Sequence, residues 1–238
     1  NEDTAQRLTG VVGYRGNAFN APSYLVMLSE EKENYLINAG FVSEHILLKL
    51  EEMGLSSCYL TCDDDDIVKK ALLIDSDLAV ATVIAFGYGK KEKDTTKIDI
   101  HSPSNVSISN KAGHIAPKIA ATALAFDSDF NTAYNFDDEY SDPVIADAVY
   151  AASLSPSFLN HQNYRFVING THIYLFNQLD NVVPDDDNLL GLGAAMLNFY
   201  IILASKYSGI GNWRFDTSDI KADFKNPSDY TLVAALDI

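Results

Sequence analysis

The stretch "AASLSPSFLNHQNYRF", residues 151–166, decides the reading of this chain. It enters as an alanine-rich helical run and leaves as a β-rich segment. Between the two, Ser155–Phe166 packs a proline, two serines, two asparagines, a histidine, a glutamine, a tyrosine and an arginine into twelve residues. A residue that precedes proline is pushed out of the α region, so the helix must stop at Ser155-Pro156. On residue types alone the stretch is either a helix stop followed by a strand, or a loop whose short hydroxyl and amide side chains face a ligand.

Working outward, Asp142-Pro143 has the form of a cap followed by a first-turn proline, so "DPVIADAVYAASLS" is a short amphipathic helix feeding into the loop. Downstream, "YRFVINGTHIYLF" is two β-rich runs broken by Asn169-Gly170, a hairpin signal. "LLGLGAAMLNFYIILASKYSGIGNW" then predicts a long helix, apolar almost all round and therefore buried, ended by Gly209 and Gly211. Trp213 belongs with the packing of that helix.

The earlier part of the chain has a similar vocabulary. Residues 23–28, "SYLVML", read as a buried strand. "INAGFVSEHILLKLEEMG" reads as a helix with Phe41, Val42, His45, Ile46, Leu48 and Leu50 on its apolar side and Gly54 at its end. "LAVATVIAFGYG", 78–89, has the composition of a central strand. Residues 90–105 are a polar loop carrying Lys90, Lys91, Lys93 and Lys97, either solvated or a phosphate clamp. An alanine-rich helix over 115–126 and an acidic loop over 127–142 complete the pass.

An offset of 155 residues superposes the two long helices, matching Ala39 with Ala194, Val42 with Leu197, Ile46 with Ile201, Leu48 with Leu203 and Gly54 with Gly209. This suggests two similar halves, 1–112 and 113–238, packed as an internal pseudo-dimer with a site where they meet. Amphipathic helices that end in glycine also resemble one another without any repeat, so both readings stand at this point.

Composition narrows the partners. Seventeen basic against 33 acidic residues leave a net charge of −16, helped by the run Asp63–Asp66. That disfavours nucleic acid and anionic membranes, which need basic surface. No run approaches the ~18 consecutive apolar residues of a membrane span, and no signal peptide is visible, so the expected location is cytoplasmic. Cys58 and Cys62, the two cysteines, are read as free thiols, and the five histidines show no metal spacing.

At this point the residues resemble a family. "AASLSPSFLNHQNYRF" is similar to a recurring motif of the flavin-dependent nitroreductases, and "NAGFVSEHILLKLEEMGLSSCYL" is similar to their long helix and glycine turn. The motif order resembles a nitroreductase subgroup with both halves in one chain. The resemblance implies an α+β fold with a mostly antiparallel sheet flanked by helices. It implies FMN as cofactor, NAD(P)H as co-substrate and a nitroaromatic, quinone or similar small molecule as electron acceptor. Carried over by position, it assigns FMN contacts to Ser155, Pro156, Ser157, Asn160 and Gln162, to Ser57 and Cys58 in the turn, and to Lys97 at the phosphate, with Lys90, Lys91 or Lys93 as alternatives. It implies a monomer acting as an internal pseudo-dimer, or a homodimer. His161 is not expected to act as an acid or base, because the flavin carries the redox chemistry.

Three departures accompany the match. Asn163-Tyr164 replaces the family's Pro-Trp, Ser155 and Ser56 replace an alanine and a glycine, and the N-terminal Arg-x-Ser is not found, "YRGN" at 14–17 lying too close to the first strand. That motif is either upstream or lost, and its loss would leave a non-catalytic binding module on the same scaffold.

Overall fold

The computed structural model describes residues 2–89, 95–102, 105–111, 118–139 and 141–238, with backbone alone for residues 2 and 95–111. In chain order the first elements are α1 (Glu2–Leu8), β1 (Ser23–Ser29), α2 (Tyr35–Glu52), β2 (Ser56–Leu60), α3 (Asp65–Leu72) and β3 (Ala79–Gly87). A hairpin of β4 (Thr95–Ser102) and β5 (Asn105–Lys111) follows, then β6 (Ala125–Asp127), α4 (Pro143–Ser153), β7 (Tyr164–Asn169), β8 (His172–Gln178), α5 (Asp185–Lys206) and β9 (Tyr230–Asp237).

The strands form three sheets among the described residues: β1-β3-β2, β4-β5 and β6-β7-β8-β9. Every pairing within them is antiparallel except β6 with β7. The fold is therefore α+β with mostly antiparallel sheets flanked by helices. β3 is the central strand of its sheet, and its residues Ala79–Ala85 are all buried, which is why the run is apolar without alternation. β1 lies at the edge and is half-buried along its whole length, where the sequence suggested a buried strand.

Local signals explain most boundaries. Asp142 Oδ1 accepts from the Val144 N–H at 2.8 Å with Pro143 in the first turn of α4. The acidic run has a structural use as well: Asp64 Oδ1 caps α3 through the Ile67 N–H at 3.0 Å, and Asp65 Oδ2 accepts from the Val80 N–H at 2.6 Å. Gly54 follows α2 with φ 75°, the left-handed turn that glycine makes without strain. The hairpin forms one residue later than its signal: Asn169 pairs with His172, so Gly170-Thr171 is the turn.

Helices α2 and α5 cross at the centre of the molecule, and glycine sets how closely. A Cβ on Gly40 would lie 2.1 Å from the Leu190 carbonyl oxygen, and one on Gly193 would lie 2.0 Å from that of Ile37. This close crossing corrects the expected apolar face of α2. Its buried residues are Leu36, Ile37, Ala39, Gly40, Ser43 and Glu44, while Val42 and Leu48 are each 42% exposed and His45 is exposed. At the point of closest approach the helix presents Gly40, because a backbone-to-backbone crossing there leaves no room for a side chain. α5 is long and apolar enough to cross a bilayer by length and composition, but most of its apolar stretch is buried inside this fold.

Two further expectations change. Residues 95–102 form a strand, not a loop. The alanine-rich stretch before residue 126 is not helical where described: a single 3-10 turn at Ala121–Ala123 leads into β6, whose Ala125 and Phe126 pair with Phe166 and Val167 of β7. Sheet pairing here outweighs alanine's helix propensity. The boundary suggested at 112–113 lies outside the described residues, as do Lys90, Lys91 and Lys93.

Candidate functional site

Three segments far apart in sequence meet at one cavity of about 420 Å³. The turn and strand after α2 contribute Ser57, Cys58, Tyr59, Leu60 and Thr61, with Leu47 from α2 itself. The loop after α4 contributes Pro156, Ser157, Phe158 and Leu159. The start of α5 contributes Asp187, Leu190 and Gly191. A fourth wall comes from the N-terminal segment, through Tyr14, Asn17 and Phe19. The Tyr14 and Phe158 rings meet edge-on at 5.8 Å, joining that wall to the loop.

The loop holds its shape against local preference. Leu159, Asn160 and Gln162 all have positive φ, at 47°, 59° and 52°. Non-glycine residues adopt this region at a cost of ~1–2 kcal/mol each, so the surroundings must hold them there. They do so through buried hydrogen bonds. Gln162 Nε2 donates to the Ser153 carbonyl at 2.7 Å and to Tyr164 Oη at 3.1 Å, and Gln162 Oε1 accepts from the Ile119 N–H. Tyr164 Oη–H donates to the Ala152 carbonyl at 2.7 Å, and Lys118 Nζ to that of Ser155 at 2.7 Å.

Of the residues singled out in the sequence, Ser57, Cys58, Pro156 and Ser157 line the cavity together. Ser155 and Gln162 do not: both are fully buried behind the loop, with their polar groups engaged by protein partners. Their side chains bond to the protein around the loop rather than facing the cavity. Asn160 sits on the strained turn but is not among the lining residues, and of Lys97 only the strand backbone is described. His161 Nδ1 pairs with Asp180 Oδ2 at 3.0 Å.

Sequence reasoning passed over Asp187, Gly191 and the N-terminal wall. The first looked like one more acid in an acidic chain. Gly191 looked like helix packing, yet a Cβ there would meet nothing closer than 3.6 Å, so its absence opens space beside Ser157. Asp187 Oδ2 is buried with no hydrogen-bond partner. Burial pushes its carboxyl up to about 6, with a hydrogen bond from Thr61 working against that rise.

Behind the cavity lies a second polar cluster. Asn198 Nδ2 of α5 donates to Glu44 Oε1 of α2 at 2.9 Å and to Ser155 Oγ at 2.8 Å. Ser43 Oγ lies 2.9 Å from the hydroxyl of the lining residue Tyr59. Burial pushes Glu44 up to about 7, opposed by the bond from Asn198 and by Lys118.

A family model described as "Putative TM nitroreductase" matches residues 4–202. The chain belongs to that family. A solved structure agrees in fold: the crystal structure of a "putative nitroreductase" from Thermotoga maritima MSB8 at 2.00 Å resolution is similar with a TM-score of 0.53 and 17% sequence identity. The likeness covers 91% of this chain and 70% of that one. No curated protein matches the sequence. Family and fold together support a general oxidoreductase role for this nitroreductase-family chain. Its cavity joins both of the segments that carry the sequence resemblance, residues 57–58 and 156–157.

The lining can be tested against FMN, the cofactor that family resemblance implies. Tyr14, Phe19, Leu47, Tyr59, Phe158 and Leu190 supply flat aromatic and aliphatic surface, and Asn17, Ser57, Thr61 and Ser157 supply short polar groups. This donor set, together with the space left by Gly191 and the unpartnered oxygen of Asp187, fits a heteroaromatic ring with a polar edge. It offers no Lys or Arg among the described lining residues for a phosphate.

Proposed function

We propose that this chain is an FMN-dependent NAD(P)H oxidoreductase, with the flavin ring between the 57–61 strand, the 156–159 loop and the start of α5. The observation that supports it is the meeting of those segments at one aromatic-lined cavity with an unpartnered carboxylate oxygen. When bound, FMN would supply two-electron chemistry between NAD(P)H and a nitroaromatic, quinone or similar small-molecule acceptor. The chain's own residues do the rest. Tyr14, Phe19, Tyr59 and Phe158, which line the cavity, would hold the ring and exclude water from it. Ser57 and Ser157 orient its polar edge. Asp187 Oδ2 holds a proton at the wall up to about pH 6 and can release it to a reduced acceptor, which must gain protons as well as electrons. We place this activity in the cytoplasm, without nucleic-acid or membrane partners, in keeping with the net charge of −16.

A second reading, a non-catalytic module on the same scaffold, is favoured by one observation: the ionisable lining groups include a carboxylate but no basic side chain among the described residues. FMN titration separates the two. The purified chain is expected to take up FMN and then oxidise NAD(P)H in the presence of an acceptor, and Gly191→Leu, which fills the space beside Ser157, is expected to abolish uptake while the far-ultraviolet spectrum stays unchanged. A wild-type chain that remains colourless at saturating FMN would sink the enzyme reading.

A further inference from the structure

A second cavity, of about 290 Å³, is lined by α2, α5 and the segment that follows α5. Part of its lining follows from the first by the 155-residue offset. Ser57, Cys58 and Leu60, the wall after α2, map onto Asn212, Trp213 and Phe215 after α5, and all three line the second cavity. The helices also exchange roles, one or two residues away from the strict offset. The first cavity takes Leu47 from the middle of α2 with Leu190 and Gly191 from the start of α5, and the second takes Tyr200 from the middle of α5 with Ile37 and Asn38 from the start of α2. Two cavities related in this manner are what a pseudo-two-fold axis through the helix crossing generates. The 156–159 loop has no counterpart in the second lining, and the second cavity is correspondingly smaller.

We propose that this cavity is a second ligand site, taking an uncharged, planar, bicyclic aromatic molecule with an amide edge. Its walls are the rings of Phe41, Tyr200, Trp213 and Phe215, with Phe41 and Tyr200 tilted at 59° and 6.3 Å apart. Such walls match the faces and edges of a flat ring, and the volume falls just under the usual range of small-molecule pockets of ~300–1,000 Å³, so a ligand of two fused rings is the size it holds. No charged residue is among its described lining residues, which disfavours a phosphate or a carboxylate on the ligand. Beside the Tyr200 hydroxyl, the polar side chains of the lining are the amides of the exposed Asn38 and Asn212, and a complementary amide is the group that pairs with both their donors and their acceptors. The site is independent of the flavin reading, since no lining residue is shared with the first cavity.

The chain's single tryptophan reports on this site alone. Trp213 Nε1–H donates to the Met196 carbonyl at 3.1 Å, so its indole signal in a proton–nitrogen correlation spectrum is one anchored peak. Titration of the full chain with 2-naphthamide is expected to move that peak saturably, at one ligand per chain. Asn38→Tyr, which adds bulk at an exposed lining residue, should weaken binding at least about tenfold, or ~1.4 kcal/mol, whereas Gly191→Leu should leave it intact. An indole peak that stays still to the solubility limit, or a shift that Asn38→Tyr does not alter, overturns the proposal. So does sedimentation as a pair of chains that excludes 2-naphthamide, because the face would then be an interface between copies.

Discussion

Replacing Glu44 by glutamine should make the protein's stability lose part of its dependence on pH. Glu44 is 4% exposed, its Oε2 has no hydrogen-bond partner, and burial raises its carboxyl from the ordinary 4.5 to about 7. The unfolded chain releases this proton near pH 4.5 and the folded chain keeps it to about 7. Across that window the native state binds more protons than the unfolded one, so wild-type stability falls as pH rises. Each pH step between those two values costs ~1.4 kcal/mol, so the penalty is about 0.2 kcal/mol at pH 4, about 1 at pH 5 and about 3 at pH 8. Glutamine cannot ionise, and its Oε1 can still accept from Asn198. A fixed offset remains if the new amide lacks a partner, but that offset does not vary with pH. Urea unfolding of both proteins at pH 4, 5, 6, 7 and 8 measures the difference in stability, which should change by about 3 kcal/mol in favour of Glu44→Gln between the extremes. A difference that stays constant over this range would refute the claim that Glu44 is buried and protonated between α2 and α5.

Two further outcomes follow from the helix crossing and the cavity. Gly193→Ala sets a methyl 2.0 Å from the Ile37 carbonyl oxygen and 2.6 Å from the Phe41 nitrogen, and the strain should cost about 2 kcal/mol or more in urea unfolding. Gly191→Ala, two residues away with 3.6 Å of clearance, should be neutral or slightly stabilising, and equal effects at the two sites would contradict the crossing geometry. In NAD(P)H-driven turnover, the wild type should lose rate as pH rises through about 6, where Asp187 gives up its proton, and Asp187→Asn should lack that limb. An unchanged pH profile in the variant would remove Asp187 from proton delivery.

The legible parts of the sequence were those where one local rule acts alone. Asp142-Pro143 starts a helix because a carboxylate caps it and proline suits its first turn, and both are seen. Ser155-Pro156 stops it, and the following residues do reach the cavity. The apolar face of α2 was misread because large hydrophobic residues were taken to mark the buried side, when the crossing buries Gly40 at the point of closest approach. The alanine run before β6 was misread because helix propensity is weaker than pairing with a strand some forty residues away. Of the cavity's lining, Ser57 and Ser157 were singled out through family resemblance, whereas Asp187 carried no local mark to set it apart from its acidic neighbours.

By itself the sequence determined most of the helix ends and the hairpin, since caps, prolines, glycines and hydrophobic periods act over a few residues, while the α+β class and the two segments that flank the cavity were legible only through family resemblance. Only the tertiary structure decided which of those residues face the cavity. Gln162 turned inward to donate to the Ser153 carbonyl and Ser155 to accept from the Asn198 amide, and the Asp187 carboxyl is raised because the fold buries it at the start of α5. The second cavity, too, exists only once α2 and α5 cross at their glycines. Burial and close approach are properties of chain segments brought together over long distances, and no short stretch encodes them.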